Sequence, residues 1–464
     1  MINIQNEFFV GGKNMNFNLY RFETYGMKNI QELITIDFCP LTVDKKSKKK
    51  NSKVKSIYGT NGVGKSAIMN SVYLYKQILL DPLLLKQNSE IIQLNKIINK
   101  VKKEFYIGVV FGVKFSAREK ETIYKNEIKI KIENNIPYIE CEKFYILKDQ
   151  SINGSYSLQY EVNSGDLLIN NKENYAMNDY FKNRTLNILK YSTCTSILRE
   201  VDVIKEVLKF VDEHKKESSD NLGIIYYLLI SKLFADNISI FMDSMDIHKE
   251  YDDDFIEELI SREFKIQNES FIRNTIGSKR DAILKNQLDS YKTNVERLAE
   301  FLKLFKPSLK SIRLDIAEDE HYYYCSKKMV YESYEVDSDY ESTGIQKLMS
   351  IYNSIDDVVK GKIVFIDELD ANINGVYLKV LIEYLNNENK GQLCFTTHNF
   401  YPMEYLYTYT NSIDFLGETG KLIPWKKNGH YKPYNQYPEG MIVDSPFNID
   451  PIDYEKVFSF KGDN

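Results

Sequence analysis

Cysteine is sparse in this chain. Five occur in 464 residues (Cys39, Cys141, Cys194, Cys325 and Cys394), none in a C-x-x-C pair. Such scattering argues against a disulfide framework or a zinc site and fits a reducing cytoplasm. Net charge is also small, −5 overall, so nothing global suggests a nucleic-acid or membrane coat. Long apolar runs are missing. The best membrane candidate, 222–241, is broken by Lys232, Asp236 and Asn237. It falls short of the roughly 18 apolar residues a spanning helix needs and reads as a buried helix. The N-terminus is polar, without a secretory leader pattern, and a cytoplasmic setting is expected. There is no internal repeat. What is present, 43% hydrophobic and 27% charged residues, suits a globular chain with a real core.

The first 15 residues read as an extension. Strand-like runs follow at 17–25 and 33–38, the second alternating Ile34, Ile36 and Phe38 with Thr35 and Asp37. Seven lysines in 45–55 are either a solvated loop or an electrostatic patch. A strand at 54–58 leads through a glycine loop into a helix over 65–80, which Pro82 ends. Short strands with polar turns at 104–147 predict an antiparallel meander. Residues 178–306 read as mainly helical, with heptad steps at Ile197, Val201, Ile204, Leu208, Val211 and at Leu284, Leu288, Tyr291, Val295, Leu298, Leu302, Phe305. Those seams either pack on a helical core or project as a short antiparallel pair. After Pro307 strand character returns, and 341–400 reads helix, strand, turn, helix, strand. The remaining residues look like a cap or a partner-facing tail.

Four segments carry chemistry. Gly59-Thr60-Asn61-Gly62-Val63-Gly64-Lys65-Ser66 matches G-x-x-x-x-G-K-[ST], set between an apolar strand and an amphipathic helix. Glycines there let successive backbone N–H groups surround a β-phosphate, with the positive end of the helix dipole behind them. Lys65 is placed to bridge β- and γ-phosphates, and Ser66 to ligate Mg²⁺. Ile363-Val364-Phe365-Ile366-Asp367-Glu368 is a buried strand that delivers two acids at its carboxyl end, the ligand edge of an open α/β sheet. Asp367 is read as the Mg²⁺ ligand and Glu368 as the group that polarises attacking water. A third strand ends in Thr396-Thr397-His398-Asn399, where His398 can sense the γ-phosphate. Finally, Glu341-Ser342-Thr343-Gly344-Ile345-Gln346-Lys347 opens a helix with a serine cap, a plain cap or an anion site.

In this order, the four segments resemble those of the ABC-type ATPases of the RecF/SMC/OLD branch. The resemblance implies an α/β P-loop head, a mixed sheet with an antiparallel meander, split by a mainly helical insertion. It implies ATP and Mg²⁺ as ligands, and ATP hydrolysis as the activity. Segment 341–347 is similar to the branch's signature motif, so Ser342 and Gly344 would contact the γ-phosphate held by a second copy. Two heads would then sandwich two ATP molecules. Residues 370–374 resemble the D-loop, with Asn374 where relatives often carry histidine. More narrowly, Leu19-Tyr20-Arg21-Phe22-Glu23-Thr24-Tyr25-Gly26-Met27-Lys28-Asn29-Ile30, the meander, and the closing Ser445-Pro446-Phe447-Asn448 look like OLD-like ATPases of bacterial abortive-infection defence. The expected layout is an extension at 1–15, head at 16–177, insertion at 178–306 and head at 307–464. A separately encoded effector, such as a TOPRIM-type nuclease or another toxin, is the implied partner. Direct DNA binding, as in a RecF-like repair ATPase, is the alternative. No nuclease-like cluster stands out in 178–306, and the acids Asp252, Asp253, Asp254, Glu257 and Glu258 read as a solvated helix start.

Overall fold

The computed structural model describes residues 15–38, 52–115, 120–148, 151–170, 176–213, 222–242, 280–318, 322–388, 390–426, 432–440 and 442. The 1–14 extension, Lys45–Lys50 of the lysine run, the acids at 252–258 and the closing 445–448 segment lie outside the described residues. The chain opens with β1 (Asn16–Tyr25) and β2 (Ile34–Asp37), then β3 (Val54–Tyr58), α1 (Lys65–Leu80) and α2 (Asn88–Ile97). Strands β4 (Glu104–Lys114), β5 (Thr122–Glu133), β6 (Ile136–Leu147), β7 (Tyr156–Asn163) and β8 (Asp166–Ile169) follow. Next come α3 (Ala176–Arg184), α4 (Cys194–Ile197), α5 (Val201–Glu213), α6 (Ile224–Asp236), β9 (Ile238–Phe241), β10 (Arg280–Leu284) and α7 (Leu288–Lys303). The last part comprises β11 (Ser311–Glu318), β12 (Tyr322–Val330), β13 (Glu335–Asp337), α8 (Thr343–Lys360), β14 (Ile363–Ile366), α9 (Gly375–Glu388), β15 (Gln392–Thr396), α10 (Tyr401–Leu406), β16 (Ile413–Leu416), β17 (Leu422–Pro424) and α11 (Pro433–Gln436).

Three sheets organise these elements. The predicted meander joins β1 and β2 in a seven-stranded antiparallel sheet, order β2-β1-β4-β5-β6-β7-β8. Its period-two pattern is clear on β5: Tyr124, Asn126, Ile128 and Ile130 are buried, whereas Lys125, Glu127, Lys129 and Lys131 are half-buried on the opposite face. The central sheet runs β17-β16-β3-β15-β14-β9, parallel from β16 to β9, with β17 antiparallel on the edge. A smaller sheet places β12 between β10 and β11, with β13 added to β12.

Strand β14 is apolar on both faces because both faces are covered. Ile363 and Phe365 of β14 point into a core shared with α1, α6 and the antiparallel sheet, where Phe365 meets Phe22 and Phe38 at ring distances of 6.4 and 6.0 Å. Val364 and Ile366 point the other way, into a second core with α7, α8, α9 and the small sheet. One side chain ties the two large sheets. Gln392 accepts the Leu19 N–H (2.6 Å) and donates to the Leu19 carbonyl (3.0 Å), beside the register shift between Leu19 and Arg21. Two backbone groups that the irregularity exposes are thereby satisfied.

The structure revises some expectations and decides between others. Segment 178–306 is not wholly helical: 222–241 divides into α6 and β9, and β9 pairs with β14 as a strand of the central sheet. Nor do its described helices project, since Phe181, Ile197, Val203 and Phe234 are buried in the same core as α1. In the second heptad run Tyr291, Val295, Leu298 and Leu302 face the core beside α8, while Leu284 belongs to β10. The stretch after Phe400 is only partly a cap, because β16 pairs with β3 inside the central sheet. Lys55, counted in the lysine run, is buried and forms an ion pair with Asp414 at 2.6 Å. A strand of a sheet covered on both faces has no solvated position to offer, so its lysine needs a buried acid.

Candidate functional site

Parallel pairing brings the carboxyl ends of β3, β15 and β14 side by side, with β15 in the middle. At about 4.8 Å per strand, residues following β3 and β14 stand roughly 10 Å apart across the sheet. The glycine loop leaves β3, the acidic pair leaves β14, and His398 follows β15. Lys65, Asp367, Glu368 and His398 therefore meet at one edge, although about 300 residues separate the first two along the chain. Asp370 joins them through the turn that follows Glu368.

The loop wraps the start of α1. Gly62 (φ +83°) and Gly64 (φ +118°) occupy left-handed backbone that a side chain would strain. Lys65 is buried, and its Nζ donates to the carbonyls of Gly59 (2.8 Å) and Thr60 (2.9 Å). Burial lowers the Lys65 pKa from its usual value, and Asp367, Glu368 and Asp370 oppose that shift. Ser66 is half-buried beside it. Asn29, in the turn after β1, donates to the Gly62 carbonyl at 2.8 Å and braces the loop from the antiparallel sheet.

Asp367 is buried at the end of β14, with Thr396 Oγ1 donating to its Oδ1 at 2.6 Å. The same hydroxyl accepts the Glu368 N–H at 2.8 Å. Glu368 is exposed and left-handed (φ +49°), a conformation that costs a non-glycine residue about 1–3 kcal/mol and persists only where neighbours enforce it. His398 stands at the rim with its backbone N–H donating to the Asp370 carboxylate (3.3 Å). Partial burial, then the nearby Lys65 charge, lowers its pKa, while Asp370, Glu368 and Asp367 counteract. A neutral imidazole at neutral pH can accept or donate one hydrogen bond.

Ser342 and Gly344 lie elsewhere on the chain's surface. Ser342 is exposed ahead of α8, and its backbone N–H reaches the Glu341 carboxylate at 3.0 Å. Glu341 is itself buried, held by the Tyr331 hydroxyl and by Lys306 at 3.0 Å. Burial works to raise its pKa, but those hydrogen bonds hold it below the usual value. Gly344 abuts the 370–374 turn: a methyl group there would sit 2.7 Å from the Asn372 carbonyl oxygen. The serine–glycine segment is thus packed on the turn that continues from the acidic pair.

Sequence reasoning missed Asn29 and the specific role of Thr396. Both make contacts to backbone set by distant strand pairing, for which a single sequence carries no periodic signal. Among the described residues, no group of three or more His, Cys, Asp or Glu could hold a metal by itself, and no helix is long and apolar enough to cross a membrane.

No protein-family model matches the chain, and no curated protein matches it. Solved structures similar to it include an Smc head domain with an extended coiled coil, bound to the C-terminal domain of ScpA, from Pyrococcus furiosus. There the identity is 17% and the TM-score 0.39, over 88% of this chain and 96% of that one. An Smc head with a coiled coil and joint from Pyrococcus yayanosii aligns at 13% identity and TM-score 0.40, over 92% and 100%. The recombination mediator protein RecF–ATPrS of the RecFOR pathway aligns at 12% and 0.34, over 89% and 99%. Likeness at these levels carries no inference, and the functional reading rests on the chain's own residues.

Proposed function

We propose that the chain is an ATP-binding and ATP-hydrolysing head of the ABC type, of the RecF/SMC/OLD branch, that acts in pairs. One observation carries this reading: the 59–66 loop, the Asp367–Glu368 pair and His398 gather at the carboxyl edge of one parallel sheet, with Lys65 in the field of three carboxylates. Phosphoryl transfer to water needs positioning and charge neutralisation more than covalent chemistry. Backbone N–H groups of the loop hold the β-phosphate, and the Lys65 ammonium turns from the loop carbonyls to the β- and γ-phosphates. Glu368 accepts a hydrogen bond from the attacking water. His398 contacts the γ-phosphate and loses a partner on its release. The Ser66 hydroxyl and the Asp367 carboxylate are hard oxygen donors suited to Mg²⁺, an ion that keeps several waters and is shared with substrate phosphates. When bound, Mg²⁺ neutralises charge on the phosphate oxygens. Ser342 and Gly344 reach the nucleotide of a second copy, and their packing on 370–374 would couple that contact to the acidic pair.

The biological setting follows from the OLD-like resemblance of the opening strand and the meander: a regulatory subunit of anti-phage, abortive-infection defence that controls a separately encoded effector such as a nuclease. One surface favours the second reading, direct DNA binding in a repair or maintenance role. Lys28, Lys100, Lys102 and Lys103 are exposed on two loops joined by Lys28 N–H to Ile97 O (2.6 Å) and Asn99 Nδ2 to Lys28 O (2.7 Å). Salt-sensitive duplex binding that fails when Lys100, Lys102 and Lys103 become alanine would select that reading. The central test is Glu368→Gln, which should keep ATP binding, lower hydrolysis about a hundredfold or more and accumulate ATP-bound dimers. Hydrolysis at the wild-type rate would remove Glu368 from its role.

A further inference from the structure

Thr396 ends β15, the strand that His398 follows, one step past the Ile366–Phe395 register pair, and is fully buried between β14, which carries the acids, and β3. Its hydroxyl proton is committed to Asp367 Oδ1 (2.6 Å), and its lone pair to the Glu368 N–H (2.8 Å). The Thr396 carbonyl also accepts the Leu369 N–H (3.1 Å), so one residue touches three successive positions of the turn. A hydroxyl can be donor and acceptor at once, which neither valine nor alanine reproduces. Of the two Asp367 oxygens, Oδ1 is engaged by this donor. Glu368 stands in left-handed backbone that its own side chain disfavours.

We infer that Thr396 is the positioning residue of the acidic pair: its hydroxyl orients Asp367 toward the metal and holds Glu368 in the left-handed turn that aims its carboxylate at the attacking water. The inference rests on the proposed ATPase reading and deepens it. Thr396 touches no phosphate in this scheme; it acts through the two acids. Misplacing a reacting group by about 1 Å costs on the order of a hundredfold in rate.

Thr396→Val keeps shape and removes the hydroxyl; Thr396→Ser keeps the hydroxyl and removes a methyl. Full-length variants are compared with wild type in two assays: steady-state hydrolysis with ATP and Mg²⁺ varied, and polarisation of a labelled non-hydrolysable ATP analogue as Mg²⁺ is titrated. Thr396→Val should lower kcat about thirtyfold to a hundredfold with KM for ATP changed less than about threefold. It should also shift the Mg²⁺ half-point for analogue binding upward about tenfold, while Thr396→Ser stays within about threefold of wild type in both assays. A purely structural residue would move melting temperature and analogue binding without separating kcat from KM. Wild-type kcat and Mg²⁺ half-point in Thr396→Val overturn the inference alone. So does a Thr396→Ser variant as slow as about a hundredth of wild type, which decides the matter even if the valine variant does not fold. A wild-type chain that binds no analogue removes the ATPase reading itself.

Discussion

Asp281 and Asp367 are both buried acids with a lysine nearby, yet their surroundings differ. Asp281 is closed in: Lys327 and the Tyr291 hydroxyl both bond its carboxylate, and neither the Asp281 nor the Lys327 side chain is exposed at all. Burial raises the Asp281 pKa, against the pull of Lys327 and Tyr291. Asp367 is buried too, but beside an exposed neighbour. Thr396 holds one oxygen, Glu368 beside it is exposed, and Lys65 faces it through space while bonding loop carbonyls. The first cluster ties β10, β12 and α7 together and spends its charge internally. The second leaves charge of both signs at a sheet edge, where, on the proposed reading, a triphosphate and a metal would use it. Buried charge is thus a structural device where every donor has an internal acceptor, and a candidate site where it does not.

That contrast can be broken by experiment. Asp281→Ala should cost about 3–5 kcal/mol of stability, because Lys327 is left buried without its acid, yet leave ATP affinity within about threefold. Chemical denaturation beside nucleotide titration checks it, and a selective loss of ATP binding would place Asp281 in the functional group. Lys65→Ala should show the reverse pattern. ATP affinity should fall by about 2–5 kcal/mol, thirtyfold or more, with the denaturation midpoint little changed. Unaltered affinity in a direct binding assay would sink the phosphate-loop reading.

A third buried acid sharpens the comparison through pH. Glu142 is fully buried, accepts the Tyr160 hydroxyl (2.8 Å) and the Cys194 N–H (2.9 Å), and among the described residues has no cation bonded to it. Burial pushes its pKa from 4.5 to about 7, against those hydrogen bonds. The folded chain therefore binds an extra proton between these values, and the stability it contributes is lost as pH rises through that window, by about 3 kcal/mol, then levels off. Glu142→Gln should flatten this slope in urea midpoints between pH 5 and pH 8, and an unchanged slope would show that Glu142 titrates normally. The smallest effect belongs to Gln392→Ala, which strips the Leu19 N–H and carbonyl of their partner and should cost about 1–3 kcal/mol. A midpoint indistinguishable from wild type would mean that the two sheets are held by apolar packing alone.

Much of the site was legible along the chain because local chemistry dictates it. A glycine loop that must turn backbone N–H groups inward, and apolar strands ending abruptly in polar residues, can be read without a fold. So could the period-two meander and the helix at 65–80. Strands β9 and β16 were not legible. Each is four residues long, too short for periodicity to show, and β9 follows α6 with only Asn237 between them. Lys55 misled for a related reason, since its acid Asp414 lies 359 positions away. Thr396 looked like one polar residue among several until the β14–β15 register set it against Asp367.

By itself the amino-acid order determined a glycine loop of the phosphate-binding pattern, and apolar strands that end in two acids and in a histidine. These follow from backbone freedom, side-chain chemistry and short-range periodicity. Only the tertiary structure decided that 178–306 contributes a strand to the central sheet, that Asn29 and Thr396 brace the loop and the acids, and which buried charges are closed off. Those outcomes depend on pairing between strands far apart in the chain, and the contact energies that select one pairing exist only once the strands are together.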